Sequence, residues 1–227
     1  MGYKSKSTIN KIEQGINDIS YDKLMDLLNK YNEDLDYIFG DDSKLNVSPK
    51  SNDSRLFISF SAKSDGNSVQ IIKKYANGND DYILFKDINY HACTKCNYEC
   101  MKNKCKYRFD DVYKLYDLIN KYKKIYLIIP MCGGNPSSLY FIFDERSQDY
   151  FMHNENYEDI ISKMFYIRIY GSKEEYPYFL KHFQTLYDTK ECDKHILGIE
   201  RHKYNLKLNE SIMDIEEIAK ALNKFIN

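Results

Sequence analysis

The chain has 227 residues, with 33 Lys and Arg against 34 Asp and Glu, and a formal net charge of -1. That balance excludes a histone-like polycation, and 43% hydrophobic with 15% aromatic residues excludes global disorder. No apolar run approaches the roughly 18–20 residues that cross a bilayer, and the start MGYKSKSTINK lacks the apolar centre of a signal peptide. The sequence therefore predicts a cytoplasmic protein with no membrane partner.

Residues 1–42 read as helical. STINKIEQGI starts at a Ser7 or Thr8 cap and stops at Gly15, and SYDKLMDLLNKY spaces Leu24, Leu27 and Leu28 along one face behind Ser20. EDLDYIFG adds a short third helix. Residues 43–54 are polar, contain Pro49, and read as a linker. From Arg55 the pattern changes to alternating strands and helices. RLFISFSA, DYILFK, KIYLIIP, MFYIRIYG and KHILGIE read as strands. The unbroken apolar run of KIYLIIP suits a strand buried on both faces. Helices are predicted at NSVQIIKKYA, at DDVYKLYDLINKY behind Asp110 or Asp111, at NPSSLYFIFDERSQDYF, at EEYPYFLKHFQTLYD, and at SIMDIEEIAKALNKFI. Five such alternations over 55–227 predict an α/β domain: a doubly wound, five-stranded parallel sheet in the order 2-1-3-4-5 with a small N-terminal helical appendage.

An open parallel sheet binds its ligand beyond the carboxyl ends of its strands. Two loops sit there. SFSAKSDGNS, residues 59–68, offers the hydroxyls of Ser61, Ser64 and Ser68, the cation of Lys63, and backbone amides around Gly66 where the next helix opens near Asn67. Those are the donors a phosphate requires; a plain strand-to-helix turn with a geometric glycine fits equally. PMCGGNPSS, residues 130–138, places adjacent glycines where backbone can approach a flat ligand, with Asn135, Ser137 and Ser138 for polar edges.

SFSAKSDGNSVQIIKKY resembles the phosphate loop of the flavodoxin-like NADPH-dependent FMN reductases. Gly66-Asn67-Ser68 matches the end of that motif, and Phe60-Ser61-Ala62-Lys63 replaces its Gly-Ser-Pro-Arg start. IIPMCGGNPSSLYFIFDER is similar to the second flavin loop of the family, with Cys132 where an aromatic residue often stands. The resemblance covers residues 55–226. It implies an FMN-dependent oxidoreductase. Ser61, Lys63, Gly66, Asn67 and Ser68 would hold the FMN phosphate, and Pro130, Met131, Cys132, Gly133, Gly134 and Asn135 would face the ring. NADH or NADPH would be the transient reductant, a small molecule or protein the electron acceptor, and the assembly a homo-oligomer. The resemblance nominates no acid–base residue.

Four of the six cysteines, Cys93, Cys96, Cys100 and Cys105, fall within thirteen residues in the spacing C-x2-C-x3-C-x4-C. In a reducing compartment such a run reads as a metal or redox site before a disulfide framework. Compact cysteine runs supply the four thiolates of a [4Fe–4S] cluster. A reduced loop without metal stands second, and zinc third, since only one Cys-x-x-Cys knuckle is present. A similar run occurs in the iron–sulfur flavoproteins, with two residues rather than three between the second and third Cys. Cys132 and Cys192 read as non-ligands.

The N-terminal segment is similar to the later half of a lambda-repressor-like helix-turn-helix domain, with Thr8, Ile9, Ile12, Glu13 and Gly15 at matching positions. The two helices that precede the recognition helix in that family are missing here, and residues 1–50 carry seven Lys against nine Asp and Glu. That charge gives no basic footprint for DNA. A redox-sensing DNA-binding regulator is the alternative expectation.

Overall fold

A computed structural model describes residues 6–14, 19–32, 43–94, 98–101, 105, 107–172, 194–207 and 209–227. The predicted helices over 33–40 and 174–188, together with Gly15 and Cys192, lie outside the described residues. In chain order the α-helices are α1 (Lys6–Glu13), α2 (Tyr21–Tyr31), α3 (Asn67–Tyr75), α4 (Asp111–Ile119), α5 (Ser138–Met152), α6 (Tyr157–Ser162) and α7 (Glu216–Ile226). The strands are β1 (Arg55–Ser59), β2 (Asp81–Leu84), β3 (Lys124–Cys132), β4 (Asn135–Pro136), β5 (Met164–Tyr170) and β6 (Ile196–Glu200).

The five longer strands are parallel and stand in the order β2-β1-β3-β5-β6. Counted along the chain this is the expected 2-1-3-4-5 order of a flavodoxin-like sheet. One addition was not expected: β4 pairs antiparallel with the end of β3, Met131 opposite Pro136 and Cys132 opposite Asn135. The helix foreseen from Asn135 therefore begins three residues later, at Ser138.

Alternate strand residues point to opposite faces, and the two cores follow that rule. Leu56, Ile58, Ile125, Leu127 and Ile129 pack on one face with Val112 and Leu115 of α4 and Phe143 of α5. Phe57, Tyr126, Ile128, Ile167 and Ile169 pack on the other with Ile71 and Ile72 of α3 and Ile218 and Leu222 of α7. Both faces are thus covered, as a parallel sheet demands.

Two polar networks fix the frame. At the amino end of the sheet, Asp80 accepts from the Arg55 backbone N–H (3.1 Å) and from its guanidinium (2.6 Å), while Arg55 also reaches the carbonyl oxygens of Tyr75 and Ile226. Behind α4, buried Asp111 accepts from Ser43 Oγ (2.6 Å), Lys44 N (3.0 Å) and Asn89 N (2.9 Å). Leu45 and Val47 pack against the first core. The segment from Ser43 is polar in composition, yet it is seated on the sheet domain by these contacts.

Candidate functional site

A cleft of about 580 Å³ opens at the carboxyl ends of β1, β3, β5 and β6. Such a volume lies within the range of small-molecule and cofactor sites. It spans the point between β1 and β3 where the winding reverses, the place a doubly wound sheet uses for ligands.

One wall is the loop after β1. Ser61, Lys63, Gly66, Asn67 and Ser68 all line the cleft. Ser61 Oγ accepts from the Lys63 backbone N–H at 3.1 Å, which curls the loop on itself. A Cβ on Gly66 would lie 3.3 Å from the Lys63 Cβ and 3.5 Å from Ser61 Oγ, so the tight curl favours a residue without one. Gly66 is also the N-cap residue of α3, in extended conformation, and offers no side-chain acceptor. The first amides of α3 lack intrahelical partners for the same reason that those of any helix do. They face an acceptor with the partial positive charge of the helix end.

Asn67 behaves differently from expectation. Its Oδ1 accepts from Ile212 N at 3.0 Å, and its Nδ2 donates to the Glu210 carbonyl at 3.4 Å. Ser211 Oγ reinforces this by donating to Gln70 Oε1 of α3. The amide expected to hold a phosphate is committed to pinning the loop before α7 against α3. Ser68 is nearly fully buried beneath the loop.

The second wall is the end of β3. Pro130, Met131 and Cys132 line the cleft; Gly133, Gly134 and Asn135 do not. Gly133 (φ 55°) and Gly134 (φ 80°) are the two central residues of the β3–β4 hairpin. Positive φ at both positions is what a two-residue type I′ turn requires, and glycine meets it without strain. The glycine pair thus meets the requirement of the turn. Asn135 Nδ2 donates to the Gly133 carbonyl (3.1 Å) and closes the hairpin. Ser137 ties this wall to the first: its N–H donates to Pro130 O (3.0 Å) and its Oγ to Phe60 O (2.8 Å). The Cys132 thiol is exposed.

The third wall was not read from the sequence. Tyr170 and Gly171 follow β5, and Arg201, Asn209 and Glu210 follow β6. Arg201 stands directly after the predicted strand KHILGIE, so the rule that ligands gather at strand carboxyl ends could have found it. Its backbone N–H donates to Tyr170 O at 2.9 Å, holding the two strand ends together.

The cysteine loop lies elsewhere. Cys100 and Cys105 are buried, Cys93 is partly buried, and Cys96 lies outside the described residues. Burial, against the attraction of the Arg146 guanidinium, pushes the Cys105 thiol up and favours its neutral form. A metal requires the thiolate. Among the described residues no three His, Cys, Asp or Glu side chains converge to hold a metal ion, so the [4Fe–4S] or zinc centre finds no support there. What the segment does show is a polar clamp. Asp110, 1% exposed, meets Arg146 of α5, 2% exposed, at 2.6 Å. Asp149 accepts from Cys105 N (3.0 Å) and Arg108 Nε (3.0 Å). The His91 ring stacks on Tyr107. Burial works against the Asp110 charge, but His91 and Arg146 outweigh it and hold the carboxyl below its ordinary value.

The N-terminal helices α1 and α2 form where expected, with Leu24 and Leu28 buried. No helix among the described residues is long and apolar enough to cross a membrane.

No protein-family model matches the sequence, and no curated protein resembles it at a significant level. Among solved structures, the fold is similar to the Trp repressor binding protein from Bacillus subtilis, at 14% identity and TM-score 0.49 over 76% of this chain and 98% of that one. It is also similar to a flavone reductase, at 15% identity and TM-score 0.46 over 76% of this chain and 60% of that one. A third is the flavoenzyme NAD(P)H:(acceptor) oxidoreductase FerB from Paracoccus denitrificans, at 12% identity and TM-score 0.42 over 77% and 93% of the two chains. The likeness is one of architecture only.

Proposed function

We propose that this protein is a flavin-dependent oxidoreductase that holds FMN in the cleft at the carboxyl ends of β1 and β3. The observation that carries the reading is the cleft itself: the two loops with flavin-binding character in the sequence form adjoining walls of one cavity of suitable size. The residues fit the group. Lys63 and the opening amides of α3 are donors for a phosphate, Pro130 and Met131 supply apolar lining, and the buried Arg201 Nε has no hydrogen-bond partner.

Bound FMN would supply two-electron chemistry from NADH or NADPH, while the chain supplies binding and orientation. Ser61 shapes the loop by accepting from Lys63 N. Ser137 couples the two walls, so the ring floor and phosphate loop keep a fixed separation. Exposed Cys132 stands at the rim where the acceptor would enter. The acceptor would be a small molecule or a protein, and the working form a homo-oligomer. The iron–sulfur and DNA-binding readings rest on sequence spacing alone.

The test is anaerobic titration of the purified protein with FMN, followed by NADPH or NADH. Saturable quenching of flavin fluorescence and bleaching of its visible band by the nicotinamide would support the proposal. No binding of added FMN would sink it. Binding without bleaching would reduce the protein to a flavin carrier. Iron and zinc quantitation on the same sample would decide the role of Cys93, Cys96, Cys100 and Cys105.

A further inference from the structure

Arg201 is 8% exposed, yet it lines the cleft. A guanidinium carries five N–H donors. Here Nη2 donates to Leu206 O at 3.2 Å, while Nε is buried without any partner, and no carboxylate of the described residues pairs with the charge. Glu210 also lines the cleft, but its carboxylate accepts from Lys207 N at 2.7 Å. A nearly buried cation without a counter-ion is costly unless something fills the place. The loop it opens is not loose. Arg201 N is bonded to Tyr170 O, and the 209–212 segment is pinned to Asn67. The charge is therefore held in a built position.

Arg201 follows a different strand from the Ser61–Ser68 loop. From β1 to β6 the sheet crosses three strand spacings, about 14 Å between strand axes at ~4.8 Å each. Lys63 follows β1 and Arg201 follows β6, and the chain beyond Arg201 returns to meet the start of α3 at Asn67.

We propose that Arg201 is the anion-recognition residue of the β6 end of the cleft, holding a phosphate or carboxylate of a ligand bound there. The inference deepens the flavin reading and rests on it only for the choice of probes. The anion has two sources, the phosphate of FMN itself or an anionic group of a second ligand such as a nicotinamide dinucleotide. Guanidinium is suited to both, since it forms paired, charge-assisted hydrogen bonds to planar or tetrahedral oxyanions.

The experiment compares full-length wild type with Arg201→Gln and Arg201→Lys. Dissociation constants are measured for FMN, for riboflavin, which lacks the phosphate, and for NADP⁺ on both flavin-loaded and flavin-free protein. The expected result is a loss of at least fivefold in R201Q for FMN or for NADP⁺, partial recovery in R201K, and riboflavin binding changed by less than fivefold. Loss for FMN assigns the flavin phosphate; loss for NADP⁺ alone assigns the second ligand. Urea midpoints within 0.3 M of one another, roughly the resolution of such curves, confirm that the variants fold. Changes below fivefold for both anionic probes would overturn the inference, as would riboflavin falling as far as they do. If wild type binds no flavin, the flavin reading fails by itself, and NADP⁺ on the flavin-free protein still decides Arg201: loss in R201Q upholds it, and no loss or no wild-type binding overturns it.

Discussion

Replacing Asp110 by Asn isolates one charge in an otherwise conserved shape. Asp110 does two jobs. Its Oδ1 accepts from Tyr113 N (3.3 Å) to cap α4, and its Oδ2 meets Arg146 Nη1 at 2.6 Å and His91 N at 2.9 Å. Asn caps a helix as well as Asp does, so that role survives. The ion pair does not. Both side chains are at most 2% exposed, and the new amide places an N–H where Arg146 and His91 N each need an acceptor. Arg146 keeps the carbonyl oxygens of His91 and Tyr107 at 2.9 and 2.8 Å and, from Nη2, the neutral oxygen at the Oδ1 position at 3.3 Å. Breaking a buried pair by removing one partner costs about 3–5 kcal/mol. With a urea slope of about 2 kcal/mol/M, the midpoint should fall by roughly 2 M without a change in slope. Asp110→Ala should lose about 1 kcal/mol more, because the cap goes too. Pairing D110N with Arg146→Met removes the orphaned cation and should recover most of the loss. Equilibrium urea unfolding followed by circular dichroism reads five proteins: wild type, D110N, D110A, Arg146→Met alone and the double variant. A D110N loss below about 1 kcal/mol, or a double variant as unstable as the two single losses added, would refute the claim that this pair clamps the cysteine segment to α5.

Gly133→Ala should cost about 1 kcal/mol, because Gly133 has φ 55° and no atom within 4 Å to crowd a Cβ, leaving only left-handed strain. Gly133→Asn should cost less, since Asn tolerates that conformation; equal losses in thermal melts would argue against a type I′ turn. Stability should also fall at both ends of the pH scale. Burial opposes the Asp110 charge, but His91 and Arg146 hold its carboxyl below the ordinary value, so its contribution is complete above about pH 4 and is lost as pH falls through the lowered value. Burial pushes the Tyr113 and Tyr150 hydroxyls up to about 12, the latter helped by Asp117, so stability is complete below about pH 10 and drains away as pH rises towards 12. Urea midpoints measured from pH 3 to 12 check both flanks, and an unchanged midpoint between pH 10 and 12 would contradict the buried tyrosines.

The sheet was legible because its strands are short apolar runs at regular spacing, and KIYLIIP needs both faces covered. The first wall of the cleft was legible because Ser61, Lys63 and Gly66 sit where a strand meets a helix. The glycine pair was legible only as one of two things, a turn or a close approach to a ligand, and the Met131–Pro136 pairing that makes it a hairpin is not readable from the residues alone. Asn67 was misjudged because its partner, Ile212, lies 145 residues away. The cysteine spacing resembles a ligand set, while the structure ties that stretch down through the His91 and Tyr107 carbonyls on Arg146 and the Cys105 N–H on Asp149. Such non-local hydrogen bonds leave no trace in local spacing.

The Asn67 pin gives the cleft a history as well as a shape. A chain growing from its amino end has the Ser61–Ser68 loop early, but the wall that Asn67 secures arrives only with residues 209–212. Until then the nascent protein has the cleft walls that follow β1 and β3 but lacks the wall that follows β6. Loop closure across so long a stretch is slow compared with forming a helix. Any ligand that needs all of those walls can therefore settle only at the end of synthesis, after β6 has joined the sheet.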